Sequence, residues 1–213
     1  MLETLPVLSL AETRVLGTLI EKQRTVPDTY PLSVNALSAG CNQKTSRNPV
    51  LELSEADIVQ AIDTLRELGL AYEMSGGRVA RFAHKIEHTI GIPTQASALL
   101  CVLLLRGPQT AGELRLNCER LHKFADISSV EAFLAELAER SPALVVELPR
   151  LPGSRENRWA HLLSGEPVIE STPGRTAAAP APQEIDELRS RVSALETEME
   201  ELRNLLLEHL TAS

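Results

Sequence analysis

His84, Glu87 and His88 stand in the order H-x-x-E-H within "HKIEH", the wording in which two imidazoles on one helix hold a zinc ion while the carboxylate acts on its water. That chemistry needs all three side chains on one helical segment. Here His84 closes the string "RFAH", Arg81–His84, which recurs as "RWAH", Arg158–His161, with no second histidine after it. The recurrence makes His84 the end of a repeated strand, so His84 and His88 are expected to face solvent or pack on a sheet, and no metal site is expected. Cys41, Cys101 and Cys118 are odd in number, widely spaced and in no CxxC pair, which argues against both a disulfide framework and a thiolate zinc site. The sequence has no glycine-rich phosphate loop, nucleophile elbow or Ser-His-Asp order. A non-enzymatic protein without cofactor is expected.

The other group with chemical potential is the stretch "NQKTSRNPV", Asn42–Val50, which carries Lys44 and Arg47 and no acid. Lys44 and Arg47 suit a phosphate or a partner carboxylate, with Asn42 and Gln43 as hydrogen-bond donors. The plainer alternative is a solvated connection, in which Asn42 ends a helix, Asn48-Pro49 turns the chain, and "VLEL" forms a short strand beside a hairpin.

The elements around this loop follow from periodicity. Ser9-x-x-Glu12 is a capping box ahead of "AETRVLGTLIEKQ", whose Val15, Leu16, Leu19 and Ile20 share a helix face. Leu32, Val34 and Leu37 are expected on a second helix with Pro31 in its first turn. Ser54 to Asp57 caps a third helix with Ile58, Ile62, Leu65 and Leu68 inward and Gly69 as its stop. Two alternating runs around Ser75-Gly76-Gly77 form a hairpin. The same order then returns: "TQASALLCVLLLRG", a helix opened by Thr110-x-x-Glu113, a helix opened by Ser128-x-x-Glu131, and the strands "ALVVELP" and "NRWAHLL". Three helices and a two-stranded wing, twice, predict a mainly α fold with small β-wings (α+β): tandem winged helix-turn-helix domains at 1–90 and 91–163. Phe82 and Trp159 should point inward and Arg81 and Arg158 outward, because strand residues alternate faces.

Residues 164–184, rich in Pro, Ala and Thr, predict a flexible linker. From 185 to 213 the period changes. Ile185, Leu188, Val192, Leu195, Met199, Leu202 and Leu206 alternate three- and four-residue steps, the seam of a coiled coil. The flanking charges, Glu184, Arg191 and Glu198 against Arg189, Glu196 and Arg203, are complementary in a parallel in-register pair and repulsive in an unshifted antiparallel one. A parallel homodimer is expected.

Composition adds limits. The 43% apolar content supports a core, and with only 3% aromatic residues that core must be aliphatic. The longest apolar run, "ALLCVLLL", is too short for a bilayer, and the first residues have no basic leader pattern; a cytoplasmic protein without membrane contact is expected. Of the net charge of -8, the segment from Ile185 carries -4, Ser164–Glu184 carries -2 and the body only -2. The body is therefore not barred from a polyanion.

The strings "TVPDTYPLSVNAL", "CNQKTSRNPV", "RFAHKIEH" and "RWAHLLSG" resemble the YceH family of bacterial proteins of unknown function, over about Leu8 to Glu166. The resemblance implies a tandem winged-helix fold, a cytoplasmic bacterial setting and a nucleic-acid role, without an assigned activity. Asn42, Gln43, Lys44, Arg47, Pro49 and Val50 match the family's loop pattern; Thr45-Ser46 and Asn48 depart from it and leave the loop more cationic.

Two functions remain open. Helical readout of DNA needs Arg, Lys, Asn or Gln on the third helix. The first copy offers Glu55, Asp57, Asp63 and Glu67 against Arg66, and the second Glu131, Glu136 and Glu139 against Arg140. The cations lie instead on loops and wings: Lys44, Arg47, Arg78, Arg81 and Lys85, then Arg150, Arg155 and Arg158, with Arg115, Arg120 and Lys123 around the second copy's middle helix. These suit phosphate contacts that position a protein on DNA without reading sequence. The alternative is a protein-interaction scaffold, since the acidic third helices resemble those of accessory subunits of bacterial chromosome-organising complexes.

Overall fold

The computed structural model describes residues 5–74, 79–150, 153–154, 156–167 and 199. Helix α1, Leu10–Thr25, begins where Ser9 and Glu12 close a capping box, Glu12 accepting the Ser9 N–H at 2.8 Å. Val15, Leu16, Leu19 and Ile20 have no exposed surface. A 3-10 turn at Pro27–Thr29 follows. Helix α2, Val34–Cys41, is capped by Ser33. Pro31 and Leu32 lie before it, not in its first turn: Leu32 exchanges backbone hydrogen bonds with Phe82 at 3.0 and 2.8 Å. Helix α3, Glu55–Glu67, carries the expected Ser54–Asp57 box and buries Ile58, Ala61, Ile62 and Leu65. Gly69, at φ +68°, turns the chain into β1 (Ala71–Met74), which pairs antiparallel with β2 (Arg81–His84). A π-helical turn at Glu87–Gly91 leads on.

The second set repeats the order. Helix α4, Thr94–Arg106, is followed by α5, Ala111–Asn117, with its Thr110–Glu113 box, and by α6, Ile127–Ala138. The cap of α6 is Asp126, which accepts the Ser129 N–H at 2.7 Å, so the expected Ser128–Glu131 start falls inside the helix. Strands β3 (Val145–Leu148) and β4 (Arg158–His161) pair antiparallel. The repeat extends to register: Glu73 faces Phe82 and Ala71 faces His84, as Glu147 faces Trp159 and Val145 faces His161. Gln109 pairs with Trp159 just as Leu32 pairs with Phe82. These bridges occupy the place expected for "VLEL", which forms no strand. The class is thus α+β, helix-rich with two small antiparallel strand pairs.

One continuous apolar cluster runs through both sets. Its axis is α4, buried on every side from Ala96 to Leu105. Helices α1 and α4 cross at Gly17, where a Cβ would stand 2.8 Å from Leu105 Cγ. On another side of α1, a Cβ at Gly40 would meet Thr18 Cγ2 at 2.6 Å. Both approaches require the missing side chain. Phe82 is buried and Arg81 exposed, but the strands do not alternate as expected: Ala83 and His84 are buried as well, and in β4 Arg158 and Trp159 are both half-buried while Ala160 is the buried residue. No helix among the described residues is long and apolar enough to cross a membrane.

Candidate functional site

The loop after α2 is built on two buried guanidinium groups. Arg47 donates to both oxygens of Glu21, at 3.1 and 2.7 Å, and to the Gly40 carbonyl from Nε and Nη2 at 3.1 and 2.9 Å. Its side chain has no exposed surface. Arg47, expected to meet a phosphate or a partner, therefore faces inward; its charge is taken by Glu21. Arg14, itself 1% exposed, donates to the carbonyls of Cys41 and Pro49 at the two ends of the loop. Burial, reinforced by the Arg47 charge, lowers the Arg14 pKa from its ordinary value. Burial opposes ionisation of Glu21, but the hydrogen bonds and charge of Arg47, with those of Lys22, outweigh it and hold its carboxyl below the usual range.

Asn42 also has a structural task. Its side-chain amide accepts from the Leu53 N–H at 2.8 Å and donates to the Leu53 carbonyl at 2.9 Å, closing the loop like a strand partner. What remains outward is Gln43 to Ser46. Lys44 is exposed and has no side-chain hydrogen bond or ion pair among the described residues.

Those residues form one wall of a cleft of about 420 Å³. The C-terminal turns of α1 give Glu21, Lys22 and Thr25, and Val26 follows them; α4 gives Val102, Leu105 and Arg106; Asn117 closes α5, and Arg120 and Leu121 follow it. Lys22, Lys44, Arg106 and Arg120 thus converge from segments far apart in sequence. Among the described residues Glu21 is the one acid in the lining, and it is spent on Arg47 and on Lys22, at 3.0 Å. Arg106 donates to Ser46 Oγ at 2.8 Å, tying the loop to α4. Arg14, Lys22 and Arg106 carried no sequence expectation. The available signal was Arg14, Thr18 and Glu21 at i, i+4 and i+7, a polar line on an otherwise apolar helix.

The wing cations are dispersed. Arg81 is exposed and donates to the Pro31 carbonyl at 2.8 Å, Lys85 is exposed, and Arg158 is half-buried. Arg78 and Arg155 lie outside the described residues. On α3, Arg66 is tied to Asp63 at 3.1 Å and Glu73 at 3.3 Å, so the outward surface of that helix is acidic.

The H-x-x-E-H residues do not converge. His84 is buried with Nε2 2.7 Å from Gln23 Oε1, Glu87 pairs with Arg24 at 2.8 Å, and His88 is exposed. Burial lowers the pKa of His84, and of its counterpart His161, to about 4.

The profile described as "Protein of unknown function, DUF480" matches residues 8–154, which takes in both helical sets. The chain belongs to the DUF480 family. A UPF0502 protein of Dechloromonas aromatica (strain RCB) is 72% identical over 209 residues, covering 98% of each chain. UPF0502 proteins of Burkholderia pseudomallei (strain 668) and Cupriavidus taiwanensis are 59% and 57% identical, covering 92% and 94% of this DUF480 chain and 84% of each relative. This agrees with the resemblance read from the loop and wing strings.

Proposed function

We propose that this DUF480 protein is a non-enzymatic tandem winged-helix factor that associates with duplex DNA through phosphate contacts from its loops and wings. The observation that carries the reading is the separation of charge: exposed Lys44, Lys85, Arg120 and Lys123 lie on loops and strand ends, while α3 presents Glu55, Asp63 and Glu67 with Arg66 already paired. Such a helix is repelled by phosphate, so the contacts come from outside it and read no sequence. Arg47 leaves the contact set because it is buried, and Lys44 stays. Anisotropy titrations on duplex DNA across a salt series test this. Affinity should be indifferent to sequence and fall steeply with salt, and Lys44→Ala with Lys85→Ala should flatten the log–log slope by about 2. No binding at low salt would remove the reading.

A second reading has its own observation. Val59, Tyr72 and Met74 are 41%, 44% and 48% exposed beside the acids of α3 and β1, a composition suited to a basic protein partner. On this scaffold reading, a pull-down loses its partner with Val59→Asp and keeps it with Lys44→Ala.

The tail belongs to the proposal as well. Of its seam only Met199 is within the described residues, and it is 70% exposed; Ile185, Leu188, Val192, Leu195, Leu202, Leu206 and the linker from 168 to 184 lie outside them. Pairing of this seam would make a parallel homodimer and give DNA two copies of each contact.

A further inference from the structure

We propose that the cleft between the Gln43–Ser46 loop and the ends of α4 and α5 is a binding site for a small phosphorylated molecule carrying two linked phosphates. Its volume of about 420 Å³ lies in the range of small-ligand sites. Its chemistry fits a compact polyanion. Lys44 comes from the loop and Arg120 from the segment after α5, and among the described residues neither has a side-chain hydrogen bond or ion pair. Arg106 keeps donor capacity beyond its bond to Ser46. Glu21, the one acid of the lining among the described residues, has both oxygens occupied by Arg47 and Lys22, so the remaining field of the cleft is positive.

Backbone groups add to this. Among the described residues, no backbone N–H of Gln43, Lys44, Thr45 or Ser46 donates to another protein group. Four consecutive lining residues with unspent donors are what an oxyanion satisfies. Val26, Val102, Leu105 and Leu121 add an apolar part to the lining. A concave recess favours a detached molecule over the rod-like backbone of a duplex, whose phosphates meet protruding side chains. The proposal goes beyond DNA association and does not depend on it.

Calorimetry with inorganic pyrophosphate on the full chain, at constant ionic strength, tests the site. Saturable one-to-one binding with Kd below about 1 mM is expected. Lys44→Ala and Arg120→Ala should each weaken it by about tenfold, the loss of one charge-assisted contact. Arg66→Ala removes the same charge from the surface of α3 and should leave binding unchanged. Orthophosphate, with one phosphate group instead of two to share among the cations, should bind at least about tenfold more weakly. Absence of saturable pyrophosphate binding, or an equal loss with Arg66→Ala, overturns the site. Duplex binding followed separately by anisotropy keeps the two proposals apart: DNA binding without pyrophosphate binding removes the cleft ligand alone, and the reverse result removes the DNA reading alone.

Discussion

Arg47 and Glu21 form a two-pronged ion pair, at 2.7 and 3.1 Å, whose guanidinium side has no exposed surface. It joins the loop to α1 across 26 residues of sequence. Either Arg47→Ala or Glu21→Ala leaves a partly or fully buried charge without its partner and should cost about 3–5 kcal/mol in denaturant unfolding. The double variant should cost well under the sum, whereas Lys44→Ala should stay within about 0.5 kcal/mol. Additive losses would show that the pair is not one unit. Because the folded pKa of Glu21 is depressed, its contribution is present above the ordinary carboxylate value and is lost as pH falls through the folded value.

His84 and His161 supply a second, higher pH window. Both have pKa values pressed from 6.5 to about 4. Between those values the unfolded chain binds more protons than the folded one, so stability falls as pH drops from about 6.5 toward 4, by at most about 3 kcal/mol for each histidine. The double variant His84→Gln with His161→Gln should flatten the unfolding profile in that window. An unchanged profile would mean that neither imidazole is held neutral by the fold.

Phe82 and Trp159 occupy the same register position in the two strand pairs but differ in burial, Phe82 being 7% exposed and Trp159 half-buried. Phe82→Ala should cost about 3–5 kcal/mol, and Trp159→Ala less. Near-neutral values for both, in thermal or denaturant melts, would contradict their packing.

If the tail seam makes the dimer, ending the chain after Gly165 should convert a dimer to a folded monomer with little change in helical signal per residue. Light scattering at about tens of micromolar, where a short coiled coil associates, decides between the two states. A full-length monomer under those conditions would defeat the seam.

The parts legible in the sequence were local. The capping boxes at Ser9, Ser54 and Thr110 need only a residue and its neighbour three positions on, and each appears as read. At α6 the helix starts earlier than read, with Asp126 as its cap and Ser128 inside it. The Leu32 bridge was missed because a single pairing residue carries no alternation. Arg47 is hidden from the sequence for a different reason. A cation in a polar loop looks solvated, and its burial depends on Glu21 from another element. The cleft lay still further from sight, since Lys22, Lys44, Arg106 and Arg120 meet only once α1 and α4 have crossed.

That crossing fixes a gauge. One jaw of the cleft rides on α1, the other on α4 and the end of α5, with the loop bonded to both, and the helices approach each other where Gly17 lets Leu105 lie against bare backbone. A single methyl at position 17 would act as a shim, spreading the jaws without touching any of the four cations. The span a ligand must bridge is thus written in a residue that has no side chain and reaches the cleft only through Leu105.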